Sequence, residues 1–140
     1  MRTLLRCSAI ALSLTACVAS TAPTHLSTPP ADIVGTWSLK TVNGDSLPYT
    51  LSTTLGTTEK WLDEALILNS DGSTVQQGDV SYTSGAAVNT QNYLSAGTFT
   101  VTGSNITFEF GGGGSSATGS YSGNTLHMTA QGMALVYLRQ

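Results

Sequence analysis

The stretch that decides the fold is GTFTVTGSNITFEF, residues 97–110. Apolar and polar side chains alternate on both sides of its central GSN, and a period of two residues is typical of a half-buried β-strand. Gly and Asn at the centre favour a tight turn. The stretch therefore predicts a β-hairpin whose buried face carries Phe99, Val101, Ile106, Phe108 and Phe110.

Shorter versions of this pattern occur along most of the chain. Residues 119–128 alternate around a second Gly-Asn turn, and residues 33–42 end at Asn43-Gly44, a pair typical of hairpins. Regularly spaced turns favour an antiparallel all-β fold over parallel α/β units. We expect further strands at 47–54, 65–68, 74–82 and 133–139, and a loop over 84–92. The pattern over 57–63 is ambiguous, and a short helical turn is one of the alternatives open there.

The expected fold class is all-β, with about eight or nine strands. Among such folds we favour an antiparallel up-and-down meander closed into a barrel of about eight strands, because closure removes the exposed edges of Thr-rich strands. A barrel of this size is either filled by side chains or admits one small ligand, and both outcomes stay open. The side chains expected inside are Trp37, Leu39, Leu66, Leu68, Phe99, Val101, Ile106, Phe108, Tyr121, Leu126 and Met128.

The first residues have the pattern of an export signal, since Arg2 and Arg6 precede an apolar stretch over 8–14. The following LTAC, residues 14–17, resembles the lipobox of bacterial lipoproteins, in which a peptidase cuts before a cysteine whose sulfur carries a diacylglycerol. The resemblance implies a signal peptide over residues 1–16, lipidation of Cys17 and attachment to a membrane. The alternative is an ordinary secretory signal cut near Ala19 or Ala22.

The segment after this cysteine predicts a linker. Residues 17–32 are rich in Ser, Thr, Ala and Pro and hold too little apolar surface to fold, so the domain is expected over residues 33–140. Val18 occupies the position where many Gram-negative lipoproteins retained at the inner membrane carry Asp. The resemblance thus implies an anchor in the outer membrane, with the domain facing the periplasm or the cell surface.

The charge balance argues against a nucleic-acid partner. Five residues are Lys or Arg, and two of them, Arg2 and Arg6, fall in the signal, which leaves three against eight Asp and Glu residues. Phosphate binding needs a basic surface that this chain does not offer.

Residues that could carry catalysis are few, and we expect no enzyme, no metal site and no cofactor. His127 is the domain's only histidine and has no neighbouring base or cysteine in its strand. Asp63 and Glu64 are adjacent, so a strand would place them on opposite faces, and a solvated edge is the expectation for both.

Several motifs together resemble the lipocalin-like (calycin) small barrels of bacterial lipoproteins. They are Gly35-Thr36-Trp37, Asn43-Gly44 with Leu47-Pro48, the turn at 69–72, the Gly-aromatic hairpins, and the closing Leu135-Val136-Tyr137-Leu138-Arg139. In that family an arginine of the last strand packs over the tryptophan of the first strand at the closed end, which implies a pair of Trp37 with Arg139. The weaker alternative is the META domain of envelope lipoproteins, which also has a Trp followed by Asn-Gly and Leu-Pro.

The resemblance implies a monomeric binding module for a small hydrophobic molecule or lipid. The candidate lining residues are Phe99, Phe108, Tyr121 and Met128, because they are large inward-facing side chains. The alternative is a structural, interaction or inhibitor-type barrel with a filled core that acts through its surface loops.

Overall fold

A computed structural model describes residues 28–111 and 115–140. Within these ranges the chain forms ten β-strands and no helix. The strands are β1 Gly35–Val42, β2 Asp45–Ser46, β3 Tyr49–Thr54, β4 Thr57–Leu68, β5 Ser73–Ser84, β6 Ala87–Thr102, β7 Asn105–Phe110, β8 Ser115–Ser122, β9 Thr125–Ala130 and β10 Met133–Arg139.

The strands form one closed antiparallel barrel. From β4 to β10 each strand pairs with its successor in the chain, and β1 pairs with both β10 and β4, which closes a ring of eight. The short β2 pairs with the end of β1. β3 pairs with the first part of β4, and β1 pairs with the last part of β4 on the same edge. The predicted all-β up-and-down barrel is confirmed.

The decisive hairpin lies where the alternation places it. β6 and β7 pair with Phe99 opposite Phe108 and Val101 opposite Ile106. Phe99, Ile106 and Phe108 are buried, and the turn glycine Gly103 has a φ of 63°, a conformation that glycine adopts without steric cost.

One local prediction was wrong: most of the expected loop over 84–92 belongs to β6, which begins at Ala87. The ambiguous segment 57–63 is the first half of β4 and not a helical turn. β4 pairs with β5 as far as Thr57, which lies opposite Ser84, and β6 pairs with β5 from Ala87, which also lies opposite Ser84. Both hairpins therefore extend beyond the wall of the barrel. Residues 87–92 are exposed, so pairing with β5 decides their conformation without an apolar pattern.

One end of the barrel is closed by packed side chains. Trp37 and Ile33 are fully buried, and the Trp37 Nε1 donates a hydrogen bond of 2.9 Å to the Ile33 carbonyl oxygen. The guanidinium carbon of Arg139 lies 5.8 Å from the centroid of the Trp37 ring. Arg139 also donates to the carbonyl oxygens of Asp32, at 2.6 Å, and Val34. This closed end is where the chain enters the barrel.

Among residues 28–111 and 115–140 there is no helical segment with the length and hydropathy needed to span a bilayer.

We predict that Arg139→Met lowers the free energy of unfolding by roughly 1–3 kcal/mol. The substitution removes the cation over the indole and two hydrogen bonds that the guanidinium donates to carbonyl oxygens. Urea denaturation of the purified domain measures the change. The control is Lys60→Met, an exposed position on β4, for which we expect a change within about 0.5 kcal/mol. Equal effects of the two substitutions would contradict a closing role for Arg139.

Candidate functional site

The opposite end of the barrel contains a cavity of about 280 Å³. We call it the mouth cavity, since it lies where β3, β5, β8 and β10 leave the packed core. Its wall is mainly apolar, with Ser and Gln side chains between the apolar ones. The lining residues are Leu51, Trp61, Gln76, Val80, Tyr93, Ser95, Phe110, Ser115, Ser116, Ala117, Met128, Ala130, Gln131, Met133 and Leu135.

Two larger depressions, of about 610 and 450 Å³, lie on the outside of the barrel wall. Outward-facing polar side chains such as Asp63, Gln77 and Asn92 line one, and Thr107, Thr118 and His127 line the other. They are open grooves between surface side chains, so the mouth cavity is the better candidate for enclosing a ligand.

A β-bulge in β4 turns a carboxylate into the barrel. The pairing of β4 with β5 shifts register between Trp61 and Asp63. In a regular strand residues three apart face opposite sides, but one extra residue brings them to the same side. Trp61 and Glu64 both face the interior, and Glu64 is only 2% exposed.

Three hydrogen-bond donors converge on this buried carboxylate. The hydroxyls of Tyr93 and Tyr137 donate to Glu64, and the Gln76 Nε2 donates to its Oε2 at 2.9 Å. The Trp61 Nε1 in turn donates to the Tyr93 hydroxyl. We call these five residues the Glu64 cluster. Trp61, Gln76 and Tyr93 also line the mouth cavity and form its floor, whereas Glu64 and Tyr137 lie behind them, outside the lining.

Gly78 makes this arrangement possible. It lies on β5 between Glu64 of β4 and Tyr93 of β6. A Cβ at this position would lie 2.3 Å from the Asp63 carbonyl oxygen and 2.8 Å from the Tyr93 hydroxyl. Only glycine therefore lets the Tyr93 side chain cross β5 and reach the carboxylate.

Burial dominates the electrostatics of the floor. Desolvation raises the pKa of Glu64 above its usual value, and the hydrogen bonds from Tyr137, Tyr93 and Gln76 oppose part of that rise. Burial and the neighbouring Glu64 charge also raise the pKa values of Tyr93 and Tyr137, so both phenols stay protonated donors. None of the described lining residues is Lys, Arg or His.

The four lining residues predicted from the sequence lie in three different parts of the barrel. Met128 lines the mouth cavity, whereas Phe99 and Phe108 are buried in the packed core, with ring centroids 6.2 Å apart. Tyr121 lies at the closed end, where its hydroxyl donates to Asp32 at 3.4 Å. The side chains that actually form the wall sit nearer the strand ends, a distinction that alternation alone does not make.

Other predicted positions fall as follows. Trp37 and Arg139 come together at the closed end, as described above. Cys17 and the expected signal peptide lie outside the described residues. His127 is exposed. Within the described part of the chain, no three His, Cys, Asp or Glu side chains lie close enough to hold a metal ion.

The burial of Glu64 and the cluster around it were not predicted from the sequence. Asp63 is exposed and accepts the Asp79 amide at 3.2 Å, as a solvated position should, but the same expectation for Glu64 was wrong. The available signal was an acidic residue directly before the apolar run Ala65-Leu66-Ile67-Leu68, in phase with Leu66 and Leu68. A position in phase with two core residues faces the core.

Comparison with known families fits this architecture. The profile of the lipocalin-like domain matches residues 33–129, which is more than half of the chain. The chain belongs to the lipocalin-like domain family. The resemblance to lipocalin-like barrels is therefore confirmed, in preference to the META alternative. No curated protein matches the sequence.

We predict that Glu64 makes this lipocalin-like domain less stable as the pH rises. The folded pKa lies above the ordinary value of 4.5, so the folded state binds the proton more tightly than the unfolded state. The contribution of Glu64 to the free energy of unfolding should therefore be fully present below about pH 4.5 and be lost as the pH rises through the folded pKa.

Urea denaturation across this pH range checks the prediction in three proteins. Glu64→Gln should remove the decline, whereas Glu109→Gln, at an exposed position of β7, should retain it. Subtracting each variant from the wild type cancels the titration of the other carboxylates. A decline of equal size in Glu64→Gln and the wild type would assign it to another group.

Proposed function

We propose that this lipocalin-like domain binds a small, largely hydrophobic molecule in the mouth cavity. The observation that carries the proposal is an apolar cavity at one barrel end, while the other end is sealed by Trp37 and Arg139. Burial of apolar ligand surface against Trp61, Phe110, Met133 and their neighbours would supply the affinity.

The size of the cavity limits the ligand. Sites for drug-sized molecules span about 300–1,000 Å³, and the mouth cavity, at about 280 Å³, lies just below that range. A single short alkyl chain or one small ring system fits inside. A longer lipid would have to leave part of its chain outside the mouth.

The role we propose is binding rather than catalysis. Glu64, the most buried carboxyl of the described residues, already accepts three hydrogen bonds from its own barrel. A general base needs a lone pair directed at its substrate, and the Tyr93 and Gln76 side chains stand between this carboxyl and the cavity.

Filling the cavity tests the binding proposal. We predict that the wild-type domain takes up the neutral dye 2-naphthol, a single small ring system, saturably with one site, and that Ala130→Phe weakens this uptake at least tenfold by occupying the wall. Dye fluorescence measures the binding. Ala134→Phe, four residues further along on the exposed outer side of β10, is the matched control and should bind as the wild type does.

A second candidate is an interaction or inhibitor-type protein that acts through its loops. The observation in its favour is apolar exposure at the ends of the extended hairpins, where Leu55 is 100% and Val88 67% exposed. No dye uptake by the wild type, or equal uptake by both Phe variants, would favour this candidate over a ligand site.

We further propose that the protein is a monomeric lipoprotein anchored through Cys17, in the outer membrane. The support is the sequence LTAC at residues 14–17 behind an apolar stretch, with Val18 after the cysteine. In the structure Asp32 and Ile33 lie at the closed end, so a tether on the preceding segment enters the barrel away from the mouth cavity.

Replacing the cysteine tests the anchor. We predict that Cys17→Ser abolishes labelling by a palmitate analogue and leaves the signal peptide uncleaved, because the peptidase cuts before a lipidated cysteine. Intact mass and labelling measure the two effects. Cys7→Ser, within the expected signal, is the control and should leave both readouts as in the wild type. A Cys17→Ser protein that still takes up the label would overturn the proposed anchor.

A further inference from the structure

The floor of the mouth cavity presents hydrogen-bond acceptors. The Gln76 side chain turns its amide nitrogen towards Glu64 and donates to the Glu64 Oε2 at 2.9 Å. The Gln76 side-chain oxygen then points away from the carboxylate. Among the described residues no donor contacts this oxygen, and no fully buried side-chain oxygen or nitrogen lacks a partner. The Gln76 oxygen is therefore accessible, and Gln76 lines the cavity.

Two more oxygens accompany it. The Tyr93 hydroxyl donates its proton to Glu64 and accepts the Trp61 indole N–H with one lone pair. Its second lone pair therefore stays free at the cavity floor. Ser95 lies directly opposite Gln76 on β6 and also lines the cavity. Three neighbouring positions thus offer lone pairs to anything that reaches the floor.

A second carboxylate lies outside the cavity lining, on the same strand as Trp61. Glu59 lies two residues before Trp61, so both occupy the same face of β4. Its oxygens accept hydrogen bonds from Tyr82, at 3.2 Å, and Ser52, at 3.1 Å. The basic side chains lie elsewhere: Lys40 and Lys60 are exposed, and Arg139 is at the closed end. A carboxylate ligand would find no described cation in the cavity to compensate its desolvation.

From this geometry we infer that the mouth cavity selects a small amphiphile whose polar end is a protonated amine, and that it discriminates against fatty-acid carboxylates. The ammonium group donates to the Gln76, Ser95 and Tyr93 oxygens, with the Glu64 carboxylate behind them. The short apolar body contacts the Met128, Met133 and Phe110 side of the cavity. This inference rests on the proposed ligand-binding function and assigns the ligand class to the same site.

Three probes of equal chain length test the inference. Octylamine, octanol and octanoate carry a cationic, a neutral and an anionic end at neutral pH, and isothermal titration calorimetry measures their binding to the wild-type protein. We expect octylamine to bind at least about tenfold more tightly than octanol, since hydrogen bonds from charged donors are about twice as strong as neutral ones. Octanoate should bind more weakly than octanol.

Variants then locate the effect. Ala130→Phe should abolish octylamine binding, and Ala134→Phe should leave it unchanged. Glu64→Gln should reduce the preference for octylamine over octanol to less than about threefold, whereas Glu109→Gln removes one surface charge and should leave the preference intact. The ranking of the three probes by the wild type decides the inference even if Glu64→Gln does not fold.

The contrary outcomes are distinct. Octanoate or octanol binding as tightly as octylamine would overturn the amine preference and leave the hydrophobic cavity in place. Octylamine binding that persists in Ala130→Phe would also overturn the inference, because the amine would then sit on the acidic surface. No binding of any of the three probes would overturn the proposed function and the inference together.

Discussion

The closure of the sheet through β1 is the constraint on which the rest of the structure depends. β1 pairs with β10 on one side and with β4 on the other, and Trp37 lies at this double junction, opposite Arg139 and Leu66. Its indole and the guanidinium above it seal that end. Beyond Ser38 the two strands diverge, and β3 takes the free edge of β4 from Thr57 to Trp61. The space left unfilled is accordingly confined to the opposite end.

The Glu64 cluster marks the boundary between the filled and the hollow halves of the barrel. Taking a carboxylate out of water is costly, and the three donors offset only part of that cost, which is why the pKa of Glu64 remains raised. The donors depend on the carboxylate as well, because Tyr137 is fully buried and its hydroxyl would otherwise lack an acceptor. The cluster is thus a mutually dependent set whose members are held in fixed positions.

The strand pattern could be predicted from the sequence where one face of a strand is buried. Both strands within residues 97–110 and their inward side chains were predicted, because Phe99 and Val101 on one strand, and Ile106 and Phe108 on the other, occupy every second position. The start of β6 could not be predicted in this way, since residues 87–92 are exposed and adopt a strand by pairing with β5. The position of Glu64 was mispredicted for a different reason: the predicted strand began at Ala65, so the phase of Leu66 and Leu68 was not extended back to Glu64. The feature that the sequence does not indicate is the bulge after Trp61, which places Trp61 on the same face as Glu64.

The wall of the mouth cavity combines polar and apolar residues, with Gln76, Tyr93 and Ser95 grouped on β5 and β6, and with Ser115, Ser116 and Gln131 among the apolar residues of the facing side. Glu64, Gly78 and Tyr93 form one cross-strand row on β4, β5 and β6, and Gln76 pairs with Ser95 in the next row. β8, β9 and β10 contribute Ala117, Met128, Ala130, Met133 and Leu135 to the facing wall. The proposed amphiphile would place its polar end against the Gln76 and Ser95 oxygens and its apolar body against β9 and β10, whereas a uniformly apolar molecule would leave those oxygens without donors.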